Sequence, residues 1–417
     1  MYTQLRSGLT QEAQAGERVP WWRVSRNVVN LGLTSLFTDI SSEMISTTLP
    51  LYLVFVLRMT TLQLGVVDGV YQGASALMRL AAGVAADRGG RHKEVALAGY
   101  GLSAVCKLGM LAVGGAFGPL VAVILADRTG KGIRTAPRDA LISLSSPRER
   151  LGVAFGVHRA LDTAGALIGP LVAFALLTML PGRFDVIFVV SFCFAAVGVA
   201  VITVLVESRR SPETASRRLS LRPALGLLRL ARFRLLVLAG FGLGLATIAD
   251  AFIYLALQRR VDFPPTFLPL LYVLTSLVYL VLAIPAGRLA DRLGRARVLL
   301  GGYAALAGVY VAILSSAEGA VLVLGSVALF GAYYACTDGV LAALASSLLP
   351  AETRSGGLAL VGTSTALASM AGSVLFGALW TTVGLQVAVV AFLAGLVVAG
   401  GALGAGLVWT RPGPERA

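Results

Sequence analysis

Apolar runs long enough to cross a lipid bilayer follow one another along almost the whole chain, separated by short polar breaks. Each crossing needs about 20 such residues as a helix, and one soluble core could not absorb so many of them. Only 13% of the residues are charged, against roughly 25% in soluble domains, so a soluble fold is excluded. Glycine is abundant inside the apolar runs, where small side chains let membrane helices approach closely. The chain therefore reads as a packed all-α polytopic bundle rather than a single anchor with a soluble domain.

A charged turn organises the bundle. Gly83, Asp87, Arg88, Gly90 and Arg91 follow one apolar run, and the same spacing returns at Gly287, Asp291, Arg292, Gly294 and Arg295. Asp87 and Asp291 stand 204 residues apart, close to half the chain. A second turn, 147–152, is echoed with nearly the same offset at Pro350, Glu352, Arg354 and Gly356. Recurrence at half length is the mark of a duplicated membrane bundle. The expected organisation is a polar leader over 1–26, six spans over 27–206, a basic linker over 207–234, six further spans over 235–408, and a tail over 409–417. The second set is expected at 235–257, 266–288, 298–315, 319–348, 356–382 and 384–408.

The net charge of +14 raises a nucleic-acid reading, which the location of the bases removes. They concentrate in the loops after even-numbered spans and in the linker, while the opposite loops hold only Arg58, Arg183, Arg259 and Arg260. Alternation of this kind reports topology and needs no polyanion. It places both termini in the cytoplasm of a cell (inner) membrane. The leader lacks an apolar core and a small-residue cleavage site, so no cleaved signal peptide is expected. Cys106, Cys193 and Cys336 lie singly in apolar runs and read as packing residues, so no metal and no cofactor is expected.

Twelve spans in two pseudo-symmetric halves, with that turn after the second and eighth, resemble the major facilitator superfamily (MFS) of secondary transporters. The resemblance implies alternating access. It also implies a cytoplasmic latch in which Asp87 meets the start of the span near Gly356, and Asp291 the start of the span near Leu151. The physical basis is sound, because a helix N-terminus carries about +0.5 charge and stabilises a carboxylate by roughly 0.3–1 kcal/mol. Arg128 and Gly132 fit the superfamily's Arg-x-x-x-Gly element, which implies an arginine involved in proton coupling. Gly156, Gly165, Gly169 and Pro170 resemble the conformational glycine motif of its drug–proton antiporter branch. Ala173 and Phe174 stand where that pattern continues with glycines, and packing of two helices by small residues is the alternative. The stretches 37–44 and 127–142 also look like a less characterised bacterial branch, which implies no substrate.

Charges inside the spans carry the functional reading, since each costs at least about 2.5–3.5 kcal/mol at the bilayer centre. Asp39 and Glu43 lie one turn apart in the first span, and Asp68, Gln72 and Arg79 form a stripe on the second. Asp127, Lys131, Arg134 and Arg138 step along one face of the fourth, and His158 and Asp162 share a face of the fifth. The acids and bases of the first half nearly balance, so mutual neutralisation as a structural network competes with function at each of them. The second half offers Asp250 and Asp338 with tyrosines that include Tyr254, Tyr272, Tyr279, Tyr303, Tyr310, Tyr333 and Tyr334. Asp39, Glu43, Arg128, His158 and Asp162 are the candidate proton-coupling residues. The candidate substrate ligands are Asp39, Glu43, Gln72, Lys131, Arg134, Asp250, Asp338 and Tyr333. For His158, whose imidazole titrates near neutrality, the alternative is a hydrogen-bonded packing residue.

The expected function is export of small amphiphilic organic compounds in exchange for protons, by a monomer in the bilayer. The alternative within transport is an organic-anion or phosphate-ester carrier using Lys131, Arg134 and Arg138. A membrane-embedded enzyme is the remaining class. The sequence offers it no metal cluster and no phosphate loop, and only His92 and His158 as histidines.

Overall fold

The structure, a computed structural model, describes residues 24–89, 91–147, 150–208, 226–349 and 354–409; the side chains at 76, 79–89, 354–355 and 406–409 are not described. Among the described residues every regular element is helical. The first half comprises α1 (Arg26–Leu51), α2 (Thr61–Gly89), α3 (His92–Ala112), α4 (Phe117–Leu144), α5 (Leu151–Met179) and α6 (Phe184–Val204). The second comprises α7 (Ala231–Leu245), α8 (Asp250–Val261), α9 (Leu268–Leu293), α10 (Arg295–Leu314), α11 (Gly319–Thr337), α12 (Val340–Ser347), α13 (Arg354–Val383) and α14 (Leu385–Trp409). α7 and α8 form one interrupted crossing, and so do α11 and α12. Twelve crossings therefore result among the described residues, the number the sequence leads one to expect. Among the described residues nine of them are apolar enough to qualify as membrane spans on hydropathy alone; in α1, α2 and α4 the embedded polar and charged residues dilute it.

The duplication is visible in space. A shift of 204 residues carries α2 onto α9 and α5 onto α13. The halves meet through the matching pairs, α2 against α13 and α5 against α9. Within the first half α1 packs on α5 and α6, and α4 on α2 and α3. Gly165 and Gly169 make the α1–α5 contact possible, because a Cβ at either would lie 2.5 Å from the Leu36 carbonyl or 2.7 Å from the Ile40 carbonyl. Gly156, one turn end nearer, has open space around it.

Two interruptions were not expected from the apolar pattern, which reads 235–257 and 319–348 as continuous. The first falls between α7 and α8. There the Tyr310 hydroxyl accepts from the Ile248 amide at 2.7 Å and donates to the Ala246 carbonyl at 3.0 Å. One side chain thus satisfies both backbone groups that the break frees, which lipid could not do. The second falls at Asp338 and Gly339, where Gly339 adopts φ +76°, a conformation that a residue with a Cβ resists. Tyr310→Phe should lower stability by about 1–3 kcal/mol, seen as an earlier thermal unfolding midpoint in detergent than for the parent.

Candidate functional site: an acidic cavity between the halves

A cavity of about 370 Å³ lies where the halves face each other. α1 contributes Glu43, α2 contributes Asp68, Tyr71 and Gln72, and α5 contributes Pro170. α8 and α9 add Asp250, Tyr254, Tyr272 and Tyr279, and the broken α11–α12 crossing adds Tyr334 and Asp338. The lining therefore holds four carboxylates and five tyrosine rings, and among the described residues no lysine or arginine.

Each carboxylate takes a hydrogen bond from a neutral hydroxyl. Ser46 donates to Glu43 at 2.6 Å, Ser373 to Asp68 at 2.5 Å, Tyr334 to Asp250 at 2.5 Å, and Tyr279 to Asp338 at 3.0 Å. None of the four forms an ion pair among the described residues. Repulsion acts between Asp68 and Asp250 and between Asp250 and Glu43. Both acids of the second half sit at the helix interruptions. Asp250 opens α8, where the exposed amides favour an anion, and Asp338 caps α11.

The other embedded acids of the first half are all paired. Asp127 accepts from Lys107 at 2.9 Å and from the Arg128 Nη2 at 2.5 Å. Arg128 also lies 3.7 Å from the centre of the Tyr71 ring, which itself lines the cavity. Arg134 reaches Asp39 at 3.8 Å and stacks on Tyr100 at 4.6 Å. Arg138 pairs with Asp139 at 2.9 Å and with Asp162 at 3.9 Å. His158 is buried and shares a 2.9 Å hydrogen bond with Ser35. Lys131 lies within electrostatic reach of Asp39 and Glu43 without an ion pair to either.

Of the expected substrate ligands, the structure gathers Glu43, Gln72, Asp250 and Asp338 around the cavity. Asp39 and Arg134 lie together behind it, Lys131 is not in its lining, and Tyr333 packs against Tyr303 at 5.5 Å while its neighbour Tyr334 faces in. Of the proton-coupling candidates only Glu43 lines the cavity; Asp39, Arg128, His158 and Asp162 belong to the paired network. Asp68 and Tyr71 were not singled out as ligands. The four-residue step from Asp68 to Gln72 was the available signal.

The cavity is closed at the end away from the charged turns. Thr61 and Thr381 hydroxyls meet at 2.7 Å, Thr61 also donates to the Gly377 carbonyl, and the Phe174 ring packs at a tilt against Phe267 with centroids 5.4 Å apart. Gly65 and Gly377 let α2 and α13 touch backbone to backbone, since a Cβ on either would overlap the carbonyl of Ser373 or of Thr61. Toward the charged turns, a second cavity of about 250 Å³ shares Tyr279 and Asp338 with the first and continues past Gly287 to Asp291 and Arg295. Asp291 is exposed and makes no ion pair among the described residues, while Arg295 donates to the Ala343 carbonyl of its own half at 2.9 Å. The expected contact of Asp291 with the start of α5 is not seen among the described residues, which leave out 148–149 just before that helix. Gly83, Asp87, Arg88 and Gly90 lie outside the described residues, as far as their side chains are concerned, so the matching contact of Asp87 is not seen. Gly65→Leu should force the far end apart. A disulfide between Thr61→Cys and Thr381→Cys, which should form readily in the parent, is then expected to form several-fold more slowly.

The model of the Major Facilitator Superfamily matches residues 31–268 and 251–417. An uncharacterised MFS-type transporter of Methanocaldococcus jannaschii is 31% identical over 365 residues, covering 86% of this chain and 89% of the relative. The fold is shared with the nucleoside transporter NupG at a TM-score of 0.75 and 15% identity, covering 91% of this chain and 98% of that one. It is also shared with the human organic anion transporter MFSD10 at a TM-score of 0.64 and 16% identity, covering 91% and 99%. These relatives are transporters rather than enzymes. With duplicated halves, a cavity between them and a family match over nearly its full length, the chain belongs to the major facilitator superfamily.

Proposed function

We propose that the protein exports small amphiphilic organic compounds in exchange for protons, by alternating access of the cavity between its halves. The observation that carries this reading is the set of four cavity carboxylates that make no ion pair among the described residues. A buried carboxylate of that kind is relieved either by a proton or by a positively charged group of a ligand. Proton and cargo then compete for the same oxygens, and competition for one site that opens alternately to two sides is the condition for exchange. Tyrosine rings supply the apolar surface, and the hydroxyls of Tyr334 and Tyr279 hold Asp250 and Asp338 in place.

The charge bias of the loops supports an inner-membrane protein with the Asp87 and Asp291 turns, and both termini, on the cytoplasmic side. The described conformation then opens inward and is closed outward, as cargo loading before export requires. An anion carrier built on Lys131, Arg134 and Arg138 finds less support, because Arg134 and Arg138 face acids of their own half and none of the three lines the cavity.

In inside-out vesicles an acidic lumen should drive accumulation of a fluorescent amphiphile, and a protonophore should abolish it. Equal accumulation with and without the gradient would refute proton exchange.

A further inference from the structure

Two groups of carboxylates occupy the cavity at different depths. Asp68 is held by Ser373, one helical turn from the Gly377 contact that closes the far end, and Glu43, Asp68 and Asp250 all lie within electrostatic reach of Tyr272 near the start of α9. Asp338 stands at the mouth, held by Tyr279 and shared with the cavity that leads to the charged turns. Tyr272 and Tyr279 belong to one continuous helix, α9. Seven residues at 1.5 Å rise separate these levels by about 10 Å.

We infer that the cargo carries two basic centres about 10 Å apart, one answered by the Glu43, Asp68 and Asp250 group and the other by Asp338. This deepens the transport reading above and rests on it. A monocation would leave one pole of the cavity unanswered. An anion would face four carboxylates with no base in the lining. Lys131 can answer Glu43 from behind the cavity, which still leaves Asp68 and Asp250 for the first basic centre. Tyr334 bridges the levels: its hydroxyl holds Asp250, and Asp338 follows it by one helical turn. Tyrosine faces suit an ammonium group and an apolar spacer alike. The cavity volume of about 370 Å³ is within the range of small-molecule sites.

The test uses the full-length protein in proteoliposomes under an imposed proton gradient. Uptake of α,ω-diaminoalkanes of increasing length is compared with uptake of monoamines of equal length and of carboxylate analogues. The diamine whose ammonium groups match the separation of the poles should show kcat/KM about tenfold or more above its monoamine counterpart. In Asp338→Asn, at an exposed position, that ratio should fall to about one through the KM of the diamine, and Asp338→Glu should restore part of it. A wild-type ratio near one, a ratio that survives Asp338→Asn, or selective flux of the carboxylates would each overturn the inference and leave transport standing. Absence of gradient-driven flux for every class would remove the transport reading itself.

Discussion

Glu43→Gln should leave a folded protein that still binds cargo but loses uptake driven by an acidic lumen in inside-out vesicles, by about a hundredfold. The size follows from the role. A neutral amide keeps the shape of the group and can still meet Ser46, which now donates to Glu43 at 2.6 Å. It can no longer exchange a proton for a positive charge. A group that acts only through its ionisation is lost entirely on such a change, whereas a packing contact loses little. Asp250→Asn should behave alike, because Asp250 sits at the start of α8 with one hydroxyl donor and feels Glu43 across the cavity. Downhill flux without a pH gradient separates coupling from transport, and it should persist in both variants. Wild-type gradient-driven rates in both would remove these acids from the mechanism.

Asp127→Ala should have the largest effect on stability, about 3–5 kcal/mol. Lys107 and Arg128 are each about 2% exposed, and Asp127 is the carboxylate that both of them reach. Deleting it leaves two cations buried within one helix bundle, and the cost is that of stranding them rather than the loss of a favourable pair. The unfolding midpoint in detergent should therefore fall steeply. Adding Lys107→Met should recover much of the loss, since one stranded charge is then gone. A double variant no more stable than Asp127→Ala would show that the triad does not act as a charge-balanced unit. On the proposed function, Asp127 maintains the fold and Glu43 is held for exchange.

That division was only partly legible in the sequence. Duplication, the number of crossings and the presence of a charge-rich first half follow from apolar run length and from the Asp87 and Asp291 turns. The near-balance of acids and bases correctly signals a neutralised network. What a linear chain does not reveal is which acid is left over. Asp39 and Glu43 are one turn apart, yet the α-helical period rotates them by about 40°. With α5 drawn close by Gly165 and Gly169, that rotation turns Asp39 to Arg134 and Glu43 to the cavity. Asp68 is fixed by Ser373, a residue 305 positions away on the opposite half, and no local pattern announces such a partner. The interruption at Asp338 and Gly339 did carry a signal, since an Asp-Gly pair is turn-prone. The break before Asp250 had a fainter one, an acid suited to a helix start. Both were hidden by the continuity of the apolar run.

The most direct test of the central claim, that the cavity carboxylates trade protons for cargo, is proton release on binding. Purified protein in weakly buffered detergent solution is titrated with a bis-quaternary ammonium compound, whose permanent charge ensures that any proton comes from the protein. The account predicts release of about one proton or more per molecule bound near neutral pH, lost when Glu43, Asp68 and Asp250 are amidated together. Saturable binding with no proton released at any pH around neutrality would contradict it.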